Sequence, residues 1–526
     1  MAAMTARDRF PRPPRDHGPA DLEQKRYDVV VLGAGSTGEN VASRAHAGGL
    51  SVLVVESELV GGDCSYWACM PSKALLRPVE ALSDARSIAG AEQALTGTFD
   101  TAAVLARRDS FTSGWSDDGQ VQWLDGEGLA FVRGHARLTG DREVEVTGPD
   151  GDRVTVHARV AVAVCTGSAP AIAPIAGLDD VGAWDSRDAT SADTAPGRLL
   201  VVGGGVVGVE MATAWAALGS RVTLLAAEDR LLAKMEPRAG ELVRAALDRR
   251  GVTVRTQLRV EAVRRDPDDG DTSAGTVTVT LSGGEVLEGD EVLVAAGRRP
   301  RTDEIGLESV GLEPGATLTT DDSLRVRGVE AGWLYAAGDC TGRALLTHMG
   351  KYQARVCGDA IVARSGADAS GADASGAGAS GAGGSGAGGG ADEVGARPWT
   401  ATAASADHTA VPQVVFTDPP AASVGLTAAQ ARDAGMTVRV VEQDLGSVAG
   451  AVLYADGYEG WACIVVDEER RVVVGATFVG PGVTELLHAA TVAVVGEVSL
   501  DRLWHAVPAY PTISEVWLRL LETYGL

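Results

Sequence analysis

Two copies of one local pattern constrain this chain more than any other feature. Residues 27–32, YDVVVL, form a short apolar run rich in β-branched residues. Gly33-Ala34-Gly35-Ser36-Thr37-Gly38 follows, then a helical stretch, then SVLVVES. Residues 198–226 repeat the order, with RLLVV, Gly203-Gly204-Gly205-Val206-Val207-Gly208, a helical stretch and SRVTLLA. A glycine turn between strand and helix lets backbone approach a pyrophosphate at the helix N-terminus. Glu56 ends the strand after the first turn, at the interval suited to ribose hydroxyls. The expected fold class is α/β, with two Rossmann-like dinucleotide-binding domains and a C-terminal α+β domain.

The second unit lacks that acid. Ala226 stands where the first has Glu56, and Ala227 follows. Glu228 and Arg230 come next, one suited to NADH and the other to NADPH, so both preferences stay open. Between and beyond the units, residues 130–165 read as short strands ending in VAVAVC, and 411–526 mix strand-like and helical segments. Residues 365–400 are dominated by Gly, Ser and Ala, with almost nothing to bury, and read as a disordered insertion. The polar, Arg- and Pro-rich residues 1–26 read as a disordered tail.

Charge and cysteines narrow the class. A formal net charge of -25 with no basic stripe argues against nucleic acid. No apolar run approaches the roughly 20 residues of a membrane helix, and the cytoplasm is the expected compartment. The 6 cysteines are too few to staple 526 residues. Cys64 and Cys69 stand apart from the rest by their closeness. Their spacing lets them meet across about one helical turn, and no partners stand at zinc-site spacing, so no metal is expected. Spacing alone leaves two readings, a reducible disulfide and two unbridged buried thiols.

The segment Gly61-Gly62-Asp63-Cys64-Ser65-Tyr66-Trp67-Ala68-Cys69-Met70-Pro71-Ser72-Lys73 resembles the redox motif of the pyridine nucleotide-disulfide oxidoreductases. Further pieces follow in that family's order: Cys165-Thr166-Gly167-Ser168-Ala169-Pro170, Ala296-Gly297-Arg298-Arg299-Pro300, Leu334 to Asp339, Val415 to Pro419, and Pro511-Thr512-Ile513-Ser514-Glu515. The resemblance covers almost everything from about residue 27 onward, outside the Gly/Ser/Ala tract. It implies FAD at Gly33, Gly35, Ser36, Gly38, Glu56, Gly62, Lys73, Thr166, Gly167, Gly338 and Asp339. It implies NAD(P)H at Gly203, Gly205, Val206, Gly208 and Gly297. It implies a Cys64–Cys69 disulfide, with Cys69 against the flavin, Cys64 facing the acceptor, and Lys73 paired with Glu210. The implied order is an FAD domain over 27–190 and 316–364, an NAD(P) domain over 191–315, and an interface domain over 411–526. A homodimer follows, with Tyr510 and Glu515 reaching across.

One position departs from that pattern. Disulfide reductases of this family carry a histidine base where this chain has Tyr510. A phenol titrates near about pH 10 and is a poor base at neutrality, though it still donates a hydrogen bond. His505 lies just upstream, and a surface or core position explains it more simply. Mercuric reductases carry a tyrosine in this region together with a terminal cysteine pair, but no cysteine follows Cys463 here. The expected activity is NAD(P)H-driven reduction of a small-molecule or protein disulfide. The rivals are a quinone or dye reductase or a mercuric reductase-like enzyme acting directly from the flavin, with the cysteines as bystanders, and a non-enzymatic flavin-bound redox sensor.

Overall fold

The apolar run of the first pattern is the strand Arg26–Leu32, central in a seven-stranded sheet. The computed structural model describes residues 14, 16–268, 271–373 and 397–526. In that sheet Ala130–Arg133, Val52–Glu56, Arg26–Leu32 and Arg153–Val164 run parallel in this order. His135–Gly140 and Glu143–Thr147 extend it as antiparallel strands, and Leu334–Ala336 pairs with the far end of Arg153–Val164. Both faces are covered. Val29 and Val31 join the core beneath the helices Ser36–Ala47 and Thr347–Asp373, while Val30 and Leu32 join the core on the opposite face. That two-sided burial is why the strands read as continuous apolar runs and not as alternations.

The second pattern builds a four-stranded parallel sheet, ordered Thr253–Arg255, Arg221–Leu225, Arg198–Val202 and Glu291–Val294. A three-stranded antiparallel sheet of Val260–Asp268, Asp271–Leu281 and Val286–Gly289 packs beside it. The C-terminal part is a five-stranded antiparallel sheet, from Pro412–Val415 through Ala421–Gly425, Val472–Val479 and Trp461–Asp467 to Val438–Asp444. The helices Leu486–Val495 and Val516–Tyr524 pack on it. Two Rossmann-like units and a C-terminal α+β unit bear out the expected fold class.

Two readings need correction. Residues 16–26 are not a loose tail. Asp16 pairs with Arg133 at 3.0 Å, the His17 ring lies 5.4 Å from that of Phe131, and the first sheet already begins at Arg26. The anchor is long-range, so local composition hid it. At the other tract, the helix Thr347–Asp373 continues through residues 365–373, because extending a helix already nucleated costs far less than starting one. Residues 374–396, with most of the predicted insertion, and residues 1–13 lie outside the described residues.

Arg133 shows how tightly this edge is tied. Its guanidinium makes two bonds to Asp117, at 2.9 and 3.0 Å, and both side chains are buried. Asp117 also accepts the Val60 amide at 2.8 Å, fixing the turn that precedes the first cysteine. Removing one partner of such a pair strands a buried charge. Asp117→Ala is therefore expected to destabilise the protein by about 3–5 kcal/mol. A thermal melt reads this, and an unchanged melting temperature would refute it.

Candidate active site

Backbone geometry at the first turn comes directly from its glycines. Gly33 has φ +98°, and a Cβ there would lie 2.6 Å from the Cys165 carbonyl oxygen. A Cβ on Gly38 would collide with the Gly33 carbonyl, so strand and helix meet only without side chains. The second unit repeats both features at Gly203 and Gly208. Gly205 and Val206 start the helix Val206–Ala217, and Gly297 lies near Ala171, just past the strand Glu291–Val294.

A cleft of about 730 Å³ opens over the first turn. Gly33, Gly35, Ser36, Glu56, Gly62, Thr166, Gly167 and Asp339 all line it. So do Cys64 and Thr347. Glu56 is held by the amides of Ala34 and Glu58, each at 2.7 Å, and burial pushes its carboxyl up. Asp339 accepts from the Ser168 hydroxyl at 2.6 Å, and burial raises its carboxyl too, against that bond and the charge of Arg298. The buried Thr166 hydroxyl has no protein partner. Gly338 sits against Thr37, where the strand Leu334–Ala336 reaches the first turn. A glycine cradle, a strand-end carboxylate, a second buried carboxylate and an unpaired hydroxyl suit FAD laid along this cleft.

The cysteines do not span one continuous helical turn. Cys64 is in the short helix Gly62–Tyr66, the chain breaks at Trp67 and Ala68, and Cys69 opens the helix Cys69–Arg86. The amides of Trp67 and Ala68 both donate to the Asp63 carbonyl, at 2.8 and 2.6 Å, which closes the break. Tyr66 and Trp67 are buried with Leu59 beneath the loop. The two thiols hydrogen-bond to each other. That bond, helped by one with Thr347 at 3.0 Å and by the charge of Lys73, lowers Cys69 to about 6 despite its burial. Its place at the first position of an 18-residue helix also favours a thiolate. Cys64 is driven the opposite way, chiefly by the same bond and by burial.

One turn into that helix, the Lys73 ammonium donates to Glu210 Oε2 at 2.8 Å. Glu210 is buried, and its Oε1 accepts the Phe416 amide at 2.9 Å. Tyr510 is 77 % exposed, and His505 is exposed upstream. Glu515 is buried with Oε2 unpaired, and neither it nor Tyr510 lines the cleft that Cys64 lines.

Sequence reasoning missed an ionic network around the first cysteine. Arg187, nearly buried, bonds Glu58 at 2.7 Å and Asp63 at 2.5 Å, and lies 4.2 Å over the Trp67 ring. Arg298 reaches Asp63 at 2.8 Å and Arg301 reaches Glu58 at 3.1 Å. Burial works to raise Glu58, yet the bonds from Arg187 and the charges of Arg187 and Arg301 hold it at about 2. Of these, only Asp63 and Arg298 stood in segments singled out beforehand, and nothing local paired them.

These features define a two-dinucleotide oxidoreductase with a thiol pair at the end of its first nucleotide cleft. Residues 27–356 match the pyridine nucleotide-disulphide oxidoreductase family, and residues 411–520 match the dimerisation domain of the same family. Dihydrolipoyl dehydrogenase of Thermus scotoductus is 31% identical over 504 residues, 95% of this chain and 97% of that one. Mercuric reductase of Streptomyces lividans is 30% identical over 502 residues, 95% and 96%. The crystal structure of LpdA from Mycobacterium tuberculosis superposes with a TM-score of 0.75 at 26% identity, covering 96% of this chain and 100% of that one. The chain belongs to the pyridine nucleotide-disulphide oxidoreductase family. It is an FAD-dependent disulfide oxidoreductase that works with NAD(P)H. Among the described residues, no helix is long and apolar enough to cross a membrane, and no cluster of His, Cys, Asp and Glu could hold a metal ion.

The thiol electrostatics give a test. Cys69 is an acid whose folded value is depressed, so its thiolate persists as pH falls until about 6 and is lost below. Any stability it contributes is complete above the ordinary thiol value and disappears through the same window. Ultraviolet thiolate absorbance of the reduced protein should titrate near pH 6. Cys64→Ala should move that midpoint up, and Thr347→Val should move it up by less. A midpoint at the ordinary thiol value in the unaltered protein would refute the assignment.

Proposed function

We propose that this protein passes electrons from NAD(P)H to a disulfide acceptor through a Cys64–Cys69 disulfide. The observation that carries the reading is the single cleft running from the glycine cradle and Glu56 to Cys64 and Thr347. FAD bound there supplies two-electron exchange between the nicotinamide and the sulfurs. The chain's own residues do the rest. Gly33, Gly35, Ser36 and Gly38 hold the pyrophosphate, Glu56 the ribose, and Asp339 the ribityl chain. Gly203, Gly205, Val206, Gly208 and Gly297 hold the nicotinamide dinucleotide.

Cys69 is the thiolate kept against the cofactor, and Cys64 is the thiol that exchanges with the acceptor. Lys73 supplies a fixed cation where negative charge collects, and Glu210 keeps that lysine in place. We read the domains as an FAD unit over 27–190 and 316–364, an NAD(P) unit over 191–315, and an interface unit over 411–526. We read the assembly as a homodimer in which Tyr510 and Glu515 serve the partner's thiols, with Tyr510 as hydrogen-bond donor in place of a base. The high exposure of Tyr510 in one chain and the matched dimerisation domain support this.

Anaerobic reductive titration tests the core of the proposal. A working dithiol beside the flavin needs four electrons for full reduction and shows a long-wavelength thiolate band at two. Cys69→Ser should abolish that band. Cys64→Ser should keep it while removing disulfide turnover. Bleaching complete at two electrons, with quinone turnover untouched by Cys64→Ser, would instead establish the direct flavin reading. Tyr510→Phe should lower disulfide kcat about tenfold, the scale of one lost hydrogen bond. Unchanged kcat would leave Tyr510 as a space-filling residue.

A further inference from the structure

Arg298 follows Gly297 at the end of the second nucleotide unit, but its side chain serves the first. The short strands Arg298–Pro300 and Ser168–Pro170 pair antiparallel. The Ala171 amide donates to the Gly297 carbonyl at 2.9 Å at one end, and the Arg301 amide to the Gly167 carbonyl at 3.1 Å at the other. This ribbon holds Arg298 in the lining of the cleft that Cys64 and Asp339 also line. The guanidinium is then used in two directions. Its Nε donates to the Ser168 hydroxyl at 2.6 Å, and that hydroxyl donates to Asp339 Oδ2 at 2.6 Å. Its Nη2 donates to Asp63 Oδ2 at 2.8 Å.

The chain from Arg298 to Asp339 has only one sense. A guanidinium donates and never accepts, so the serine hydrogen is left for the carboxylate. Asp339 is thereby oriented through Oδ2, while its Oδ1 takes no protein hydrogen bond among the described residues and is free for the cleft. Burial raises the Asp339 carboxyl, the Ser168 bond and the charge of Arg298 from the ribbon oppose that, and the charge of Asp63 from the cysteine helix adds to it. Asp63 is shared between two cations. Its Oδ1 belongs to Arg187 and its Oδ2 to Arg298, and its backbone carbonyl closes the break between the two cysteine helices. An ion pair that only stapled the ribbon would need one partner. Here one planar fork is divided between the carboxylate of the cofactor cleft and the carboxylate beside Cys64, which a lysine cannot do in the same geometry.

We propose that Arg298 is a positioning residue that ties the grip on the cofactor to the thiol loop: through Ser168 it aims Asp339 into the cleft, and through Asp63 it seats the loop that carries Cys64. This rests on the reading of the cleft as the FAD site. Its consequence is that FAD retention and the protection of Cys64 fail together when this one side chain is lost. Two readouts on the FAD-loaded full chain follow from it. One is the rate of FAD release, seen as the fluorescence of the freed flavin. The other is the rate at which iodoacetamide alkylates Cys64 in the dithiothreitol-reduced protein, read by peptide mass.

Arg298→Met should speed FAD release about tenfold, the scale of one charge-assisted hydrogen bond, and should speed Cys64 alkylation as well. Arg298→Lys, which keeps the charge, should recover part of the FAD retention. Without the guanidinium the Asp339 carboxyl rises further, so FAD release should accelerate on acidification from a higher pH in Arg298→Met than in the unaltered protein. Asp339→Asn should show no such step. In an Asp339→Asn background Arg298→Met should change FAD release by less than about twofold, and in an Asp63→Asn background it should change alkylation as little. Either readout unchanged in Arg298→Met, or fully additive effects in either background, would overturn the proposal. Should Arg298→Met fail to fold, Arg298→Lys and Ser168→Ala carry the test, and unchanged FAD release in both would overturn it. An unaltered chain that retains no FAD would overturn the cofactor reading itself, whereas FAD held equally by every variant overturns this proposal alone.

Discussion

Glu210 holds the site together, because three parts of the chain meet on one buried carboxylate. One oxygen takes Lys73 from the cysteine helix, and the other takes the Phe416 amide at the start of the C-terminal sheet. Glu210 itself belongs to the helix that opens the second nucleotide unit. Lys73 also lies 4.9 Å over the Phe416 ring. The surrounding core is shared in the same way, with Leu75, Leu76, Trp215 and Val415 in one cluster. A buried carboxylate is tolerated only when paired and hydrogen-bonded, so these elements are held in one relative position or the charge is stranded. The helix that carries Cys69 therefore cannot shift without breaking contacts to both other units.

The ionic network on the other side of the cysteine loop does the same for Cys64. Asp63 immediately precedes it and is held by Arg187 and Arg298, which come from the segments flanking the second sheet. Burial favours a neutral Asp63, but the charges of Arg187, Arg301 and Arg298 keep its carboxyl low. The loop between the cysteines is thus fixed from above by ion pairs and from below by Tyr66 and Trp67. Two thiols held by packing in this way exchange a hydrogen bond without further reorganisation, which is the condition under which one of them stays ionised.

What was legible in the sequence was what local rules encode. Glycine at Gly33 and Gly203 marks a backbone turn that no other residue makes comfortably, and apolar runs on either side fix strand and helix. That was enough for both nucleotide units and for the position of Glu56. The cysteine motif was legible through its likeness to a family, since spacing alone left the thiols unpaired as readily as paired. Contacts between distant residues were not legible. Nothing near Arg133 announces that Asp16 and Asp117 will meet it, so the chain before Arg26 read as free. Nothing near Asp63 announces Arg298, more than two hundred residues on. Helix propagation into residues 365–373 was missed because the tract was read by what it lacks to bury and not by the helix that runs into it.

Tyr510 poses the remaining chemical question, because disulfide exchange needs an ionised attacking sulfur and a proton for the departing one. Ionisation at Cys69, the cofactor-side sulfur, needs no imidazole, since the Cys64 thiol, Thr347, Lys73 and the helix start already supply it. Activating Cys64, which Cys69 and burial drive the other way, is then the harder half. The charge of Lys351 favours an ionised Cys64 and offsets part of that cost. A phenol can donate a hydrogen bond to a departing sulfur, but it is a poor base at neutrality. The burden of stabilising negative sulfur thus rests on fixed charges, Lys73 at Cys69 and Lys351 at Cys64.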